Sequence, residues 1–176
     1  MLYYKYLEID NFEIIQQKTL EYLKLNNIFD QQKFHWVQFD DLIKFCPELH
    51  TAFDRYSIKP CGAAAIVSKT KYLDIHIDSV PYKCRINIPI ANCQGSKTLF
   101  FEGGEFDVMY THNGLPYFKL KPSSIPTLKQ VAEVEIIKPT VIRVHVPHRV
   151  ITNLERIPRV TLSIKFDVDP EFLLNN

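Results

Sequence analysis

Two residues in the middle of the chain, His76 and Asp78, have the type and spacing to hold a metal ion. They lie in Tyr72-Leu73-Asp74-Ile75-His76-Ile77-Asp78, where apolar Leu73, Ile75 and Ile77 alternate with polar Asp74, His76 and Asp78. A period of two is the mark of a half-buried strand and places His76 and Asp78 on one face. An imidazole and a carboxylate so arranged can reach one cation. A second histidine from elsewhere would complete the facial triad of a non-haem Fe(II) site. The competing reading is a histidine hydrogen-bonded to a neighbouring carboxylate on a solvated face, since H-x-D arises often by chance.

Five further histidines are available: His35, His50, His112, His145 and His148. His35 and His50 fall in a stretch with helical character, and His112 precedes Asn113-Gly114, a strong turn signal. His145 and His148 have opposite parity on the extended segment Val141–Val150. Ile142, Val144, Val146, His148 and Val150 share one parity, and Arg143, His145 and Arg149 the other. The interior of a barrel takes the apolar parity, which favours His148 as the distal ligand and turns His145 outward. Pro147 can shift that register, so His145 stays an alternative.

Eleven residues after His148, Arg159 opens a strand in which Val160, Leu162, Ile164 and Phe166 form one face and Arg159, Thr161 and Ser163 the other. A polar row facing inward is tolerable if it binds something, and a buried guanidinium suits a planar carboxylate. An edge strand with a solvated polar face is the alternative. The segment Tyr82–Ile90 alternates in the same way, with Ile86, Ile88 and Ile90 opposite Arg85 and Asn87.

The elements that must position these residues divide at about residue 58. Before it, residues 3–9 predict a short strand. A helix capped by Asp10 or Asn11 runs to Asn26-Asn27, and a second spans Phe39 to about Tyr56, kinked or interrupted at Pro47. Between them Phe34, Trp36 and Phe39 form an aromatic cluster expected to serve as core or lid packing. After residue 58 come short strands: Cys61–Ser68, the His76 strand, a turn at Ser79–Pro81, then Tyr82–Ile90 and Thr98–Glu102. A hairpin follows, with Phe106–Tyr110 and Leu115–Leu120 around residues 112–114. Residues 121–132 are expected to form a loop, and Glu133–Ile137, Val141–Val146 and Arg159–Val168 are read as strands. No βαβ rhythm appears. The fold class expected is mainly β with N-terminal helices, a double-stranded β-helix (jelly-roll or cupin-like) barrel. One domain over 1–176 is expected, with 1–58 as mostly helical support and 59–168 as the barrel core.

Composition sets the bounds. The 176 residues are 46% hydrophobic and 23% charged, with 21 Lys+Arg against 20 Asp+Glu and a net charge of +1. That is ordinary for a globular protein and gives no electrostatic case for nucleic acid or a membrane surface. No apolar run approaches the roughly 20 residues of a spanning helix. Met1–Lys5 lacks the layout of a signal peptide. Cys46, Cys61, Cys84 and Cys93 contain no C-x-x-C pair and are expected to be reduced thiols in a cytoplasmic protein, with Cys84 a small buried hydrophobe.

The order His76-Ile77-Asp78, Pro147-His148, Arg159-Val160-Thr161 resembles the Fe(II)/2-oxoglutarate-dependent oxygenases over residues 60–168. In that family an H-x-D pair on one strand is followed by a distal histidine and, about ten residues later, an arginine that often opens an R-x-S/T pair. The stretch Arg85-Ile86-Asn87-Ile88-Pro89-Ile90 looks like the segment after the metal strand in the aspartyl/asparaginyl β-hydroxylase-like branch, including small versions found in phages and marine bacteria. Asn87 stands where some members of that branch have histidine.

The resemblance implies Fe(II) held by His76, Asp78 and His148, with 2-oxoglutarate as co-substrate and O2 as oxidant. Arg159, helped by Thr161, would take the C5 carboxylate of 2-oxoglutarate, and Arg85 and Asn87 would approach the C1 carboxylate. It implies hydroxylation of a small-molecule or peptide substrate with release of succinate and CO2, in the host cytoplasm if the chain is phage-encoded. The segment 103–132 is longer than a minimal family core and is expected to act as a substrate lid or as decoration. Two other readings stand beside it: a cupin-like metalloprotein that does not use 2-oxoglutarate and adds a histidine such as His145, and a non-catalytic barrel such as a virion or assembly protein.

Overall fold

Helix α1, Phe12–Leu25, follows a short strand β1, Tyr4–Tyr6, and buries Ile15, Thr19, Tyr22 and Leu23 along one stripe. The computed structural model that shows this describes residues 1–78, 82–110, 114 and 116–175. Asn11 stands at the N-cap of α1, but in the left-handed region (φ 57°) and without a side-chain cap, so the capping expected of it is not made. An edge strand follows, β2 (Lys33–Val37), where aromatic packing between helices was expected.

The second predicted helix is broken. It forms α2 (Phe39–Phe45), α3 (Glu48–Thr51) and a 3-10 turn Asp54–Tyr56. The break is at Pro47, and Cys46 before it leaves the helical region (φ −129°, ψ 74°), as a residue preceding proline tends to.

The remaining strands are β3 (Pro60–Ser68), β4 (His76–Asp78), β5 (Cys84–Ala91), β6 (Lys97–Glu102), β7 (Phe106–Tyr110), β8 (Pro116–Leu120), β9 (Lys129–Val134), β10 (Thr140–Arg143), β11 (His148–Ile151) and β12 (Arg159–Phe166). Several segments differ from expectation. The loop over 121–132 is a 3-10 turn, Pro122–Thr127, followed by the start of β9. The strand predicted over Glu133–Ile137 ends at Val134, because β9 is an edge strand whose polar start, Lys129-Gln130, needs no apolar alternation. The predicted turns at Ser79–Pro81 and around His112-Asn113 lie outside the described residues.

The chain is mainly β, built as two six-stranded antiparallel sheets. The first has the order β1-β10-β5-β12-β3-β2 and the second β7-β8-β4-β11-β6-β9. The period-two faces of the first sheet explain both of its surroundings. Ile86, Ile88 and Ile90 of β5, Val160, Leu162, Ile164 and Phe166 of β12, and Ala63, Ala65 and Val67 of β3 are all buried, in one core with Ile15, Leu23, Leu42, Leu49 and Phe53 of the helical segment. Burying each such large aliphatic side chain contributes about 1.5–3 kcal/mol. The helices therefore pack on the outer face of the first sheet and hold it rigid.

The inner face looks toward the second sheet. On one side the space between layers is filled by Phe100, Val134, Ile136, Ile142 and Val144, with Tyr3 and Tyr4 against them. On the other side it is open, a cavity of about 480 Å³ lined from both sheets. The chain crosses between the sheets at Val144–Pro147, so the single extended segment expected over 141–150 is two strands, β10 and β11, in different layers. Among the described residues no helix is long and apolar enough to cross a membrane.

Candidate metal centre

His76 and Asp78 belong to β4 and His148 opens β11; the two strands are neighbours in the second sheet, with His148 opposite His76. One ligand atom from each of His76, Asp78 and His148 can be chosen so that all lie within 4.8 Å of one another. The two imidazole centroids are 4.5 Å apart, and His76 Nε2 lies 3.4 Å from Asp78 Oδ1. His148 is buried at 6% exposure, while His76 and Asp78 are half-buried at the cavity wall.

The hydrogen bonds fix the chemistry of both rings. His76 donates from Nδ1 to the Asp74 carbonyl at 2.8 Å, and His148 donates from Nδ1 to the Val146 carbonyl at 2.9 Å. A carbonyl only accepts, so each Nδ1 carries the proton and each Nε2 offers its lone pair to the cavity. That is the tautomer a metal-binding histidine needs, set by its backbone partner.

Electrostatics separate the two rings. Burial opposes charge on His76, but the hydrogen bond and charge of Asp78 outweigh it and raise its pKa. Burial would raise the Asp78 pKa, yet the bond to His76 and the nearby His148 and Arg85 hold it below the usual carboxylate value. Burial, with His76 beside it, pushes His148 down to about 4, so its ring is neutral at pH 7. Once a cation displaces the proton that Asp78 favours on His76 Nε2, the carboxylate and the two Nε2 atoms at the cavity wall can hold a metal ion.

The opposite wall belongs to the first sheet. Arg159 of β12 is buried at 2% exposure and forms no ion pair with a carboxylate among the described residues. Burial works against its charge and lowers its pKa. Among the described residues its Nε has no hydrogen-bond partner, nor do Ser68 Oγ, Asn87 Oδ1, Thr98 Oγ1 and Thr161 Oγ1, all on residues lining this cavity. Leaving a buried polar group unpaired costs roughly 1–3 kcal/mol. Ser68 is the cross-strand partner of Arg159, and Thr161 is two residues along the same face. A guanidinium with hydroxyls beside it is the donor set for a planar carboxylate.

Arg85 and Asn87 of β5 also line the cavity; Arg85 is half-buried, with burial lowering its pKa against the charge of Asp78. His145, the alternative ligand, shares a hydrogen bond at 3.0 Å between its Nδ1 and the Lys83 carbonyl and stands outside the His-Asp-His group. The alternation that extends from Tyr72 is in ladder form only over His76–Asp78, with a lone bridge from Tyr72 to Ile151. His112 lies outside the described residues.

Ser68, Thr98 and Tyr117 escaped the sequence reading. Ser68 ends an apolar run, and only the register of β3 against β12 sets it opposite Arg159. Thr98 shares the inward parity of Phe100, a signal present in the sequence. Tyr117 of β8 lies opposite Asp78, its ring 6.4 Å from that of His76, so the segment 103–132 supplies a strand flanking the metal strand. Phe34 and Trp36 sit at the mouth rather than in a core, while Phe39 packs against the main core. Cys46, Cys84 and Cys93 are buried free thiols and Cys61 an exposed one; burial pushes Cys84 up to about 12, which suits an inert hydrophobe. No family model, curated protein or solved structure matches the chain.

Proposed function

We propose that the chain is a non-haem Fe(II)- and 2-oxoglutarate-dependent dioxygenase on a double-stranded β-helix scaffold. The observation that carries the reading is one cavity with a His76-Asp78-His148 group on one wall and, on the other, a buried Arg159 lacking a carboxylate partner among the described residues. A metal-sized cluster or a buried arginine by itself is compatible with many activities. Together they ask for a cation and a carboxylate-bearing small molecule in the same enclosed space.

His76, Asp78 and His148 would hold Fe(II) on one face. The iron supplies the activation of O2, and oxidation of 2-oxoglutarate supplies the electrons. Arg159, with Thr161 and Ser68, anchors the C5 carboxylate; Arg85 and Asn87 neutralise and orient the C1 carboxylate. The balanced outcome is one C–H bond of the substrate becoming C–OH, as O2 and 2-oxoglutarate become succinate and CO2. Apolar Ile66, Ile142 and Val144 keep the space dry. A cupin-like centre with another histidine is less well supported, since His145 stands outside the His76-Asp78-His148 group. A non-catalytic barrel would leave Arg159 and its hydroxyls uncompensated.

Purified protein given Fe(II), ascorbate and 2-oxoglutarate is expected to form succinate, slowly even without a second substrate. Asp78→Ala is expected to lower this by at least about 100-fold by removing a metal ligand. Undiminished succinate formation in Asp78→Ala would overturn the assignment.

A further inference from the structure

The inner face of the first sheet is a ladder of rows. Arg159 and Ser68 form one; Pro89, Thr161, Ile66 and Phe34 the next; Asn87, Ser163, Ala64 and Trp36 the third. Ile164 pairs with Ile86, so the fourth row sets Lys165 beside Arg85, and both line the cavity. Lys165 is six residues from Arg159, about 20 Å along an extended strand. A five-carbon diacid has both carboxylates taken, one by Arg159 and one by Arg85, whose guanidinium is turned toward Asp78, so it leaves Lys165 unused. Whatever Lys165 binds is a different group.

Three features between the second row and this far end define a ligand. The first is aromatic. Trp36 and Phe34 meet edge to face at 5.2 Å, yet stay 49% and 39% exposed on an edge strand, an unfavourable place for two large rings unless something covers them. The second is space: Ala64 and Ser163, beside Trp36 in its row, are small and leave a shallow floor. The third is charge. Asp74, also on the cavity wall, is neutralised by Lys119 at 2.7 Å, and Asp78 belongs to the metal group. Arg85 and Lys165 form no ion pair with a described residue, which leaves the local field positive.

We infer that the molecule hydroxylated is a free apolar carboxylate, its flat hydrophobic body laid on Trp36 and Phe34 and its anionic group held by Lys165. This rests on the oxygenase reading given above. An extended peptide would bring neutral amides to a positively charged mouth, so the free acid is the better match.

Trp36 is the only tryptophan of the chain, so intrinsic tryptophan fluorescence reads occupancy of this subsite without turnover. The probes are 3-phenylpropionate and its uncharged isostere 3-phenylpropanamide, titrated into the full chain with neither iron nor 2-oxoglutarate added. The carboxylate is expected to give a saturable change at a Kd at least about tenfold below that of the amide. Lys165→Gln, an exposed substitution that leaves the core intact, is expected to bring the two within about twofold, and Arg159→Gln to leave the discrimination in place. Equal binding of the two probes, no saturable change, or a preference lost in Arg159→Gln but kept in Lys165→Gln overturns the inference. Succinate formation is measured separately: turnover without probe binding sinks the substrate class alone, and probe binding without turnover sinks the oxygenase reading alone.

Discussion

Arg159 carries the sharpest consequences of any one residue. A guanidinium at 2% exposure with an unpaired Nε weakens the free protein, because its desolvation is not offset by a counter-charge among the described residues. Methionine fills a similar volume without that penalty. Arg159→Met is expected to raise the stability of the ligand-free protein by about 1–2 kcal/mol, or roughly 2–8 °C in Tm. The same change is expected to raise the 2-oxoglutarate needed for half-maximal turnover at least about tenfold. Calorimetry and a succinate assay on one preparation check both; a destabilised variant would mean that Arg159 is compensated within the fold. The pairing of a late arginine with H-x-D was legible in the sequence because parity survives any arrangement of strands. The identity of its neighbours was not, since Ser68 reaches Arg159 through a register set by the whole β3–β12 ladder.

At the scale of elements, the metal strand depends on its flanks. β4 is three residues long and meets β11 at the single pair His76–His148, while β8 pairs along all of it. The β7–β8 hairpin leaves β6 through Gly103 and Gly104, at φ +87° and +85°, where an added Cβ would lie 2.7 Å from the Thr127 carbonyl oxygen and 2.7 Å from Leu120 Cδ1. Gly103→Ala meets both a left-handed backbone and a backbone oxygen. It is expected to cost about 1–3 kcal/mol, read as a lower denaturation midpoint, and to weaken divalent metal binding by loosening the strand beside β4. The sequence showed this hairpin clearly, and alternation located β5, β6 and β12 to within a residue or two. It hid β2 and β9. Both are edge strands, bonded on one side only, and neither needs the apolar alternation that marks a central strand. For the same reason Phe34 and Trp36 read as packing when they border a cavity.

For the molecule as a whole, His76, Asp78 and His148 sit in one sheet and Arg159, Thr161 and Arg85 in the other, so the proposed co-substrate would tie the two layers together. A tie within the first sheet is already present. Glu171, in the 3-10 turn Pro170–Leu174, pairs with Lys83 at 2.9 Å and with the buried Arg143 at the end of β10, and Arg143 donates from Nε to the Leu2 carbonyl at 2.8 Å. The hydrogen bonds from Lys83 and Arg143 hold the Glu171 carboxyl below its ordinary value. A depressed carboxylate stabilises the fold above its unfolded pKa and loses that contribution as pH falls through the folded one. Acid below about pH 4 should therefore remove on the order of 1 kcal/mol from the wild type. Glu171→Gln is expected to be less stable near neutrality and to lose less on acidification; Tm against pH for the two proteins checks this, and parallel curves would exclude the pair as an acid-sensitive tie.

The two faces of β12 bear on how this chain can change. Val160, Leu162, Ile164 and Phe166 point into the helix-covered core, while Arg159, Thr161 and Ser163 point into the cavity. A saturation screen scored for both abundance and turnover is expected to separate the strand into two interleaved sets, even positions losing protein and odd positions losing activity while protein persists. Selection can then rewrite the odd set without loss of foldedness. A strand built this way is an evolutionary ratchet with a free side, on which new chemistry can be tried while the other side keeps the molecule whole.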